Sequence, residues 1–348
     1  MRVSMTRRSR WARTLVALAV VVGALYVIGF AAYGYFGGAA EYLSGSPRAT
    51  SCETPMSRFG WAYEAINYDL ADDARLLDEN PDPTSCTSQG ALAGDDVVAA
   101  DGVHIAGWYI PAATAHDWKR STVVLVHGGK SNKSGMLDYA TPFHADYDIV
   151  IIDLRNSGRS GAALSSGGLR EQDDLKAMLN WLSANKGLAS AVLVGNSNGA
   201  AAALAEAVSD HRVSALILDS MHASVERQIG NVIQTERHLP AWPGAWALVA
   251  GVSNRLGEPL ESVDPVRQLR LWDGRPILFT HGSADLVDRP VDSLDPNLVV
   301  AADKGLRYEA NVCEGAGHGK VVVVCRDAWL GWVQAFMAQP EISPALPT

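Results

Sequence analysis

Short aliphatic runs recur along the chain after residue 95, and polar or helix-forming stretches separate them. Runs of this length, apolar at nearly every position, are typical of strands in a parallel sheet that is covered on both faces. Between two of them, Leu175, Met178, Leu179 and Leu182 fall on one face of a helix. The pattern therefore predicts an α/β fold with a mostly parallel central sheet flanked by helices. The predicted parallel strands are 122–126, 149–152, 191–194, 215–218, 277–280 and 308–312.

Three other segments depart from this alternation. Residues 97–100 and 103–110 flank Asp101-Gly102, which predicts a leading hairpin and a sheet that is mixed at one edge. Residues 59–77 are compatible with a helix, followed by a breaking segment at 78–83. Residues 222–275 are long and rich in aromatic and aliphatic side chains, so they form either a helical pair that completes the core or a short cap over the sheet edge.

The N-terminus carries a long uncharged segment. Leu15 to Phe36 gives 22 mostly apolar positions, and all five arginines of residues 1–40 precede it. That length spans a hydrocarbon core of about 30 Å as a helix. The one-sided positive charge predicts a membrane anchor with its N-terminus in the cytoplasm and the rest of the chain outside. A cleaved signal peptide and a secreted protein are the alternative, with Gly38-Ala39-Ala40 as the cleavage site.

Beyond residue 40 the chain is acidic, with 24 basic against 38 acidic residues. Nucleic acid is therefore not expected as a partner, because phosphate binding requires clustered Lys and Arg. The chain contains four cysteines, an even number for an exported domain. Cys52 with Cys86 and Cys313 with Cys325 is the favoured pairing among three possible ones. The spacing of the cysteines fits no zinc site, and no metal or cofactor is expected.

The pentapeptide at 195–199, Gly-Asn-Ser-Asn-Gly, lies between a predicted strand and an alanine-rich helical stretch. Gly-x-Ser-x-Gly in that position is the pattern of a nucleophile elbow, in which the serine occupies a sharp, strained turn. Glycines on either side allow neighbouring backbone to approach closely. Ser197 is therefore the candidate nucleophile.

A serine nucleophile requires a base and an acid that orients the base. In a sheet of this kind the acid follows a later strand and the base follows the last one. Asp285 follows the strand at 277–280, and His318 lies in a glycine-rich loop after the final strand. Asp288 and Asp292 are the alternative acids.

The roles of the remaining histidines and of the oxyanion-hole donors are predicted from the edge of the sheet at which each residue lies. His211 precedes a strand and so lies at the opposite edge, and His281 is expected to be a turn or core residue. The amide groups of Asn198, at a helix start, and Gly129, in the turn at 127–129, are the candidate oxyanion-hole donors.

The chain resembles the α/β-hydrolases over residues 95–339. The resemblance rests on His-Gly-Gly at 127–129, Asp-x-Arg-x-x-Gly-x-Ser at 153–160, the pentapeptide at 195–199, His-Gly-x-x-Asp at 281–285 and Gly-His at 317–318. The branch that it resembles is the membrane-anchored, short-capped group that includes serine-aminopeptidase-like hydrolases. This resemblance implies Ser197, Asp285 and His318 as nucleophile, acid and base.

The expected organisation is a basic tail and anchor at 1–40, an extension at 41–94, and a hydrolase domain at 95–340 with the possible cap at 222–275. The expected function is hydrolysis of a carboxylic ester, or a related acyl bond of a small-molecule substrate, through an acyl-enzyme. A peptidase of the same fold and a catalytically silent binding protein are the alternatives, since fold alone does not fix chemistry.

Overall fold

The computed structural model describes residues 7–44, 51–79, 82, 86, 94, 96–114 and 121–342. The strands are β1 (Glu64–Ile66), β2 (Gly107–Ile110), β3 (Thr122–Val126), β4 (Ile149–Ile152), β5 (Ala191–Asn196), β6 (Val213–Asp219), β7 (Ile277–Gly282) and β8 (Tyr308–Cys313). The helices before the sheet centre are α1 (Arg7–Tyr33), α2 (Ala39–Ser44), α3 (Pro55–Phe59), α4 (Ala71–Glu79), α5 (Leu137–Ala140) and α6 (Glu171–Asn185). Those after it are α7 (Asn198–Ser209), α8 (Val225–Arg237), α9 (Gly244–Leu256), α10 (Pro265–Leu271), α11 (Leu294–Asp303), α12 (Val321–Val324) and α13 (Arg326–Met337).

The eight strands form one sheet in the order β1-β2-β4-β3-β5-β6-β7-β8. Neighbouring strands are parallel throughout the part of the sheet with the order β4-β3-β5-β6-β7-β8. At the other edge, β2 is antiparallel to β4 and β1 is antiparallel to β2. The predicted α/β fold and the mixed edge are thus confirmed. Strands β3 and β4 have the predicted bounds, and β5 to β8 extend one or two residues beyond them. Apolar side chains pack on both faces, which explains why these strands are apolar at almost every position.

The leading strands differ from the predicted hairpin. It is shorter than predicted: Val98 and His104 form an isolated bridge, flanked by hydrogen bonds from the Ile105 amide to the Val97 carbonyl at 2.9 Å and from the Ala99 amide to the Val103 carbonyl at 2.8 Å. The edge strand is instead β1, paired with β2. The Asn67 side chain limits the hairpin, because its Nδ2 donates to the Ile105 carbonyl at 2.8 Å and its Oδ1 accepts the Val97 amide at 3.2 Å. One amide side chain thus takes the donor and the acceptor that would form the next hydrogen bond of a longer strand pair.

The predicted helix at 59–77 is wrong in its middle. Helix α3 ends at Gly60, which adopts the left-handed conformation (φ 72°), and α4 begins only at Ala71. Between them lies β1, which pairs with β2. The predicted breaker at 78–83 lies largely outside the described residues.

An N-terminal helical segment precedes the domain. Helix α1, a π-helical turn at Gly34–Gly38 and α2 follow one another without a break, and we call this run the N-terminal helix. Residues 13–44 of it are long and apolar enough to cross a membrane by length and composition. This helix and the two disulfides, Cys52–Cys86 and Cys313–Cys325, are consistent with a membrane-anchored or secreted protein.

Residues 222–275 fold as α8, α9 and α10. Helix α10 packs on α7, and its Leu269 joins the core on one face of the sheet. Helices α8 and α9 instead bury a smaller apolar cluster that includes Leu43 from the N-terminal helix. We call α8, α9 and the loop between them the cap helices.

Candidate active site

Ser197 lies at the sharp turn between β5 and α7. Its backbone has φ 52° and ψ −123°, a conformation that non-glycine residues rarely adopt and that costs about 1–3 kcal/mol. Its amide donates to the carbonyl of Asp219 at 2.8 Å, which fixes the turn to the end of β6. The side chain is at the carboxyl edge of the sheet, where the elbow pattern predicts it.

The two glycines of the pentapeptide stand where a side chain has no room. A Cβ at Gly195 would lie 2.4 Å from Cα of Ala200, and one at Gly199 would lie 2.4 Å from the carbonyl oxygens of Val126 and His127. Real Cβ atoms do not approach backbone this closely. Strand β5, helix α7 and the turn after β3 therefore pack together only because both positions are glycine.

The structure brings Ser197, His318 and Asp285 together, although 121 residues separate the serine from the histidine. Nε2 of His318 lies 2.8 Å from Oγ of Ser197, and its Nδ1 lies 2.8 Å from Oδ2 of Asp285. Oδ1 of Asp285 accepts the amides of Val287 and Asp288 at 2.9 and 2.8 Å, so the carboxylate is held at both oxygens. This chain of hydrogen bonds allows proton transfer from the hydroxyl to the imidazole.

The candidate oxyanion donors come from adjacent backbone segments. Asn198 opens α7, and a Cβ at Gly129 would lie only 2.9 Å from Nδ2 of Asn198, so the two segments are neighbours. His127 holds the turn before Gly129: its Nε2 accepts the Leu154 amide at 3.0 Å, and Nδ1, 2.7 Å from the Gly128 carbonyl, is therefore the donor. Burial lowers the pKa of His127, which keeps it neutral in this structural role.

Comparison with known proteins agrees with this architecture. The alpha/beta hydrolase fold family model matches residues 121–247, from the start of β3 into α9. The uncharacterised protein YqkD of Bacillus subtilis is 28% identical over 201 residues, which are 54% of this chain and 62% of YqkD. The uncharacterised protein YfhR of Escherichia coli K12 is 28% identical over 230 residues, or 64% of this chain and 70% of YfhR.

Solved structures show the same fold at low identity. Esterase Pf2001 from Pyrococcus furiosus superposes with a TM-score of 0.61 at 19% identity, covering 85% of this chain and 97% of the esterase. A membrane phospholipase A, described as a bacterial virulence factor, gives 0.52 at 18% identity over 94% and 98% of the two chains. The acylaminoacyl peptidase of Pyrococcus horikoshii gives 0.53 at 17% identity over 70% of this chain and 40% of the peptidase. The chain therefore has the α/β-hydrolase fold.

The alternative acids lie further from His318 than Asp285 does. Oδ2 of Asp288 lies 3.8 Å from Nδ1 of His318 and accepts a hydrogen bond from Gln228, while Asp292 pairs with Arg289 at the surface. His281 is buried, with Nε2 2.6 Å from the Asp288 carbonyl, as expected for a turn or core residue. His211 is exposed beside Asp273, away from the site.

The surroundings of His318 favour its protonated form more than water does. Burial by itself lowers the pKa of His318, but its hydrogen bond to Asp285 and the charges of Asp285, Asp288 and Asp219 outweigh that effect and raise it. For Asp288, burial raises the carboxyl pKa to about 7.

A pH dependence of the expected activity follows from that shift. His318 accepts the Ser197 proton only when it is neutral, so kcat/KM is expected to rise with pH along a limb whose apparent pKa lies above the ordinary histidine value of about 6.5. The measurement is kcat/KM for a soluble ester between about pH 5 and pH 9. A limb centred at or below the ordinary value would contradict the upward shift of the His318 pKa, and the absence of a rising limb would contradict its assignment as the base.

A buried polar network beneath the elbow was not foreseen from the sequence. Asp219, fully buried at the end of β6, accepts hydrogen bonds from the Tyr139 hydroxyl, from Thr280 Oγ1 at 2.9 Å and from Asn196 Nδ2 at 3.0 Å. It thereby joins β5, β6, β7 and α5 directly behind Ser197. The only signal in the sequence was that Asp219 stands at the end of a predicted strand. Other strands are also followed by aspartates, so the signal did not single out Asp219.

A second buried pair supports the loop after β4. Asp153 accepts the amide of Arg159 at 2.9 Å and forms an ion pair with Lys133, whose side chain is only 2% exposed. Asp153 therefore stabilises the loop at 153–160, and its carboxylate contacts Arg159 and Lys133 rather than Ser197 or His318. Lys133 was missed because a polar loop gives no sign that one of its lysines is buried.

The disulfide Cys313–Cys325 spans the loop that carries His318. Replacing both cysteines with alanine is expected to lower kcat by about tenfold to a hundredfold, because a small displacement of a base is costly. The matched control replaces Cys52 and Cys86, whose disulfide lies in the segment before the hydrolase domain. Activities and near-ultraviolet circular dichroism are compared; an unchanged rate in the Cys313 and Cys325 variant would show that the bond does not position His318.

Proposed function

We propose that this chain is a membrane-anchored, extracytoplasmic serine hydrolase that cleaves carboxylic esters through an acyl-enzyme. The hydrogen-bonded series Ser197–His318–Asp285, at 2.8 Å for each contact, is the observation that carries the proposal. The α/β-hydrolase fold and the esterase among the structural neighbours support it. The arginines before the apolar segment and the disulfides support the outward orientation.

In the proposed reaction, His318 Nε2 takes the proton of Ser197 as Oγ attacks the ester carbonyl carbon. Asp285 accepts a hydrogen bond from Nδ1–H of His318 and stabilises the imidazolium that forms, without taking the proton. The amides of Asn198 and Gly129 donate to the oxyanion of the tetrahedral intermediate. Collapse of that intermediate breaks the bond to the leaving oxygen, which leaves as the alcohol with the proton of His318.

The second half of the reaction uses the same groups. His318 takes a proton from water, and the resulting nucleophile attacks the acyl carbon bound to Ser197. The new tetrahedral intermediate again places its negative oxygen against the two amides. Its collapse releases the carboxylic acid, and His318 returns the proton to Ser197.

The full-length chain, purified in detergent micelles, tests this function. A fluorophosphonate probe is expected to label the wild type at Ser197, and p-nitrophenyl butyrate is expected to be hydrolysed faster than butyryl p-nitroanilide. The two substrates share an acyl group and differ in the bond that is cleaved. Faster cleavage of the anilide would make the chain a peptidase-like amidase, and absence of both labelling and turnover would overturn the hydrolase proposal.

A further inference from the structure

Cap helix α9 packs against the last turns of the N-terminal helix. A Cβ at Gly244 would lie 2.6 Å from the ring of Phe30, and one at Gly34 would lie 2.6 Å from the carbonyl oxygen of Gly244. Further along, a Cβ at Gly251 would lie 2.2 Å from the carbonyl of Tyr35. Glycines on both helices thus allow backbone-to-backbone approach, the kind of contact that joins helices within membranes.

These contacts fix the depth of the cap relative to the apolar segment. Gly34 and Phe30 lie two and six residues before Phe36, the last position of that segment, which is about 3 Å and about 9 Å along a helix. Helix α9 therefore begins beside a part of the N-terminal helix that lies below the membrane surface when the segment crosses the bilayer. Interfacial elements reach about 5–10 Å into the boundary between headgroups and acyl chains, a range that overlaps the depth of this part of the helix.

The cap exposes large apolar side chains at this level. Trp242 is 65% exposed, Trp246 is 55% exposed and Leu239 is 37% exposed. We call these three residues the cap tryptophan patch. Trp242 and Trp246 lie two residues before and after Gly244, the residue that touches Phe30, so both share its depth. Trp246 is about 200° around α9 from Gly244, so it faces away from the N-terminal helix.

The other end of α9 carries a charge. Arg255 donates from Nη1 to the carbonyl of Tyr35 at 2.8 Å and from Nη2 to that of Phe36 at 3.0 Å. These carbonyls belong to the last positions of the apolar segment, where headgroups begin. An aromatic end between the depths of Phe30 and Gly34 and a cationic end at the level of Phe36 match the order of groups across a membrane interface.

The cap is also joined to the candidate site. Gln228 of α8 donates to Asp288 at 2.9 Å, and Asn231 donates to the Val287 carbonyl at 3.0 Å, so α8 holds the loop that follows Asp285. On the other side, a Cβ at Gly167 would lie 2.1 Å from the Tyr42 hydroxyl and 3.9 Å from Nδ2 of Asn198. The membrane-side elements therefore reach both flanks of Ser197.

We propose that the cap tryptophan patch inserts into the outer-leaflet interface of the bilayer, and that the hydrolase takes acyl-ester lipids directly from that leaflet. The inference rests on the membrane anchorage within the proposed function, and it adds a second membrane contact and a substrate class. The patch lies beside the anchor at interfacial depth, and α8 connects the same cap to the acid loop. A lipid ester in the adjacent leaflet then has the shortest path to Ser197.

Tryptophan quenching tests the insertion independently of catalysis. The full-length chain is reconstituted in phosphatidylcholine vesicles with and without lipids brominated near the headgroup end of the acyl chains. The bromine-quenched fraction of fluorescence is expected to fall in the double variant Trp242→Phe, Trp246→Phe, and not to fall in the control Trp332→Phe, a half-buried residue of the domain body whose loss removes only unquenched emission. Equal quenching in wild type and double variant would overturn the proposal.

Catalysis provides the second test. Trp246→Gln is expected to lower hydrolysis of an ester lipid within the vesicle by up to about tenfold and to leave a water-soluble p-nitrophenyl ester unaffected. An equal loss on both substrates, or no loss on the lipid, would overturn the proposal that substrate enters from the leaflet. Failure of the wild type on both esters would instead count against the hydrolase function, and the quenching result would still stand by itself.

Discussion

Ser197→Ala is expected to lower kcat by about 10³- to 10⁶-fold while leaving the fold unchanged. The alanine lacks the oxygen that attacks the ester carbonyl carbon in the proposed reaction. The residual rate would come from the oxyanion donors and from substrate binding, which remain. Ser197 is 6% exposed and its hydroxyl bonds to His318, so removal of one oxygen leaves only a small space.

The measurement is single-turnover and steady-state hydrolysis of a soluble p-nitrophenyl ester, with thermal unfolding as the check on folding. Ser209→Ala is the matched control, since Ser209 ends the same helix, α7, and is exposed far from the elbow. The control is expected to keep wild-type activity. Turnover by Ser197→Ala at the wild-type rate would remove Ser197 from the mechanism.

Asp285→Asn is expected to lower kcat by about 10⁴-fold, because the asparagine amide favours the wrong tautomer of the histidine. Nδ1 of His318 donates to Asp285 at 2.8 Å in the proposed mechanism, and no other described carboxylate lies as close to it. The loss is expected to appear in kcat more than in KM, since the carboxylate acts when the imidazolium forms.

Asp288→Asn provides a matched comparison in the same loop. Asp288 is also buried and the substitution is equally isosteric, but its carboxylate stands 3.8 Å from Nδ1 and its pKa is raised to about 7 by burial. We expect a loss of no more than about tenfold. A larger loss in Asp288→Asn than in Asp285→Asn would assign the acid to Asp288.

Local chemistry in the sequence was sufficient to predict the site residues that the structure brings together. The elbow at 195–199 can be recognised in the sequence because the backbone packing on both sides of Ser197 leaves room only for glycine. Asp285 and His318 were ranked by their positions after strands, and the sheet order places both strand ends at the same edge. The catalytic roles of the three residues stay predictions until the variants are measured.

The edge of the sheet was predicted less well. Residues 97–105 alternate as strands do, yet the side chain of Asn67 takes the Val97 amide and the Ile105 carbonyl, and β1 supplies the pairing partner of β2. The strand that pairs at this edge therefore depends on a residue thirty positions away. The alternation of apolar and polar residues along the chain carries no information about that contact.

By itself, the sequence determined the parallel core, the elbow and the apolar N-terminal segment, because each depends on a local property: buried strand length, close approach at glycine, or helical span. Only the tertiary structure decided which carboxylate lies against His318, how Asp219 joins the strands behind Ser197, and where α9 meets the N-terminal helix. These are contacts between distant segments, and their free energies depend on distances that no local pattern specifies.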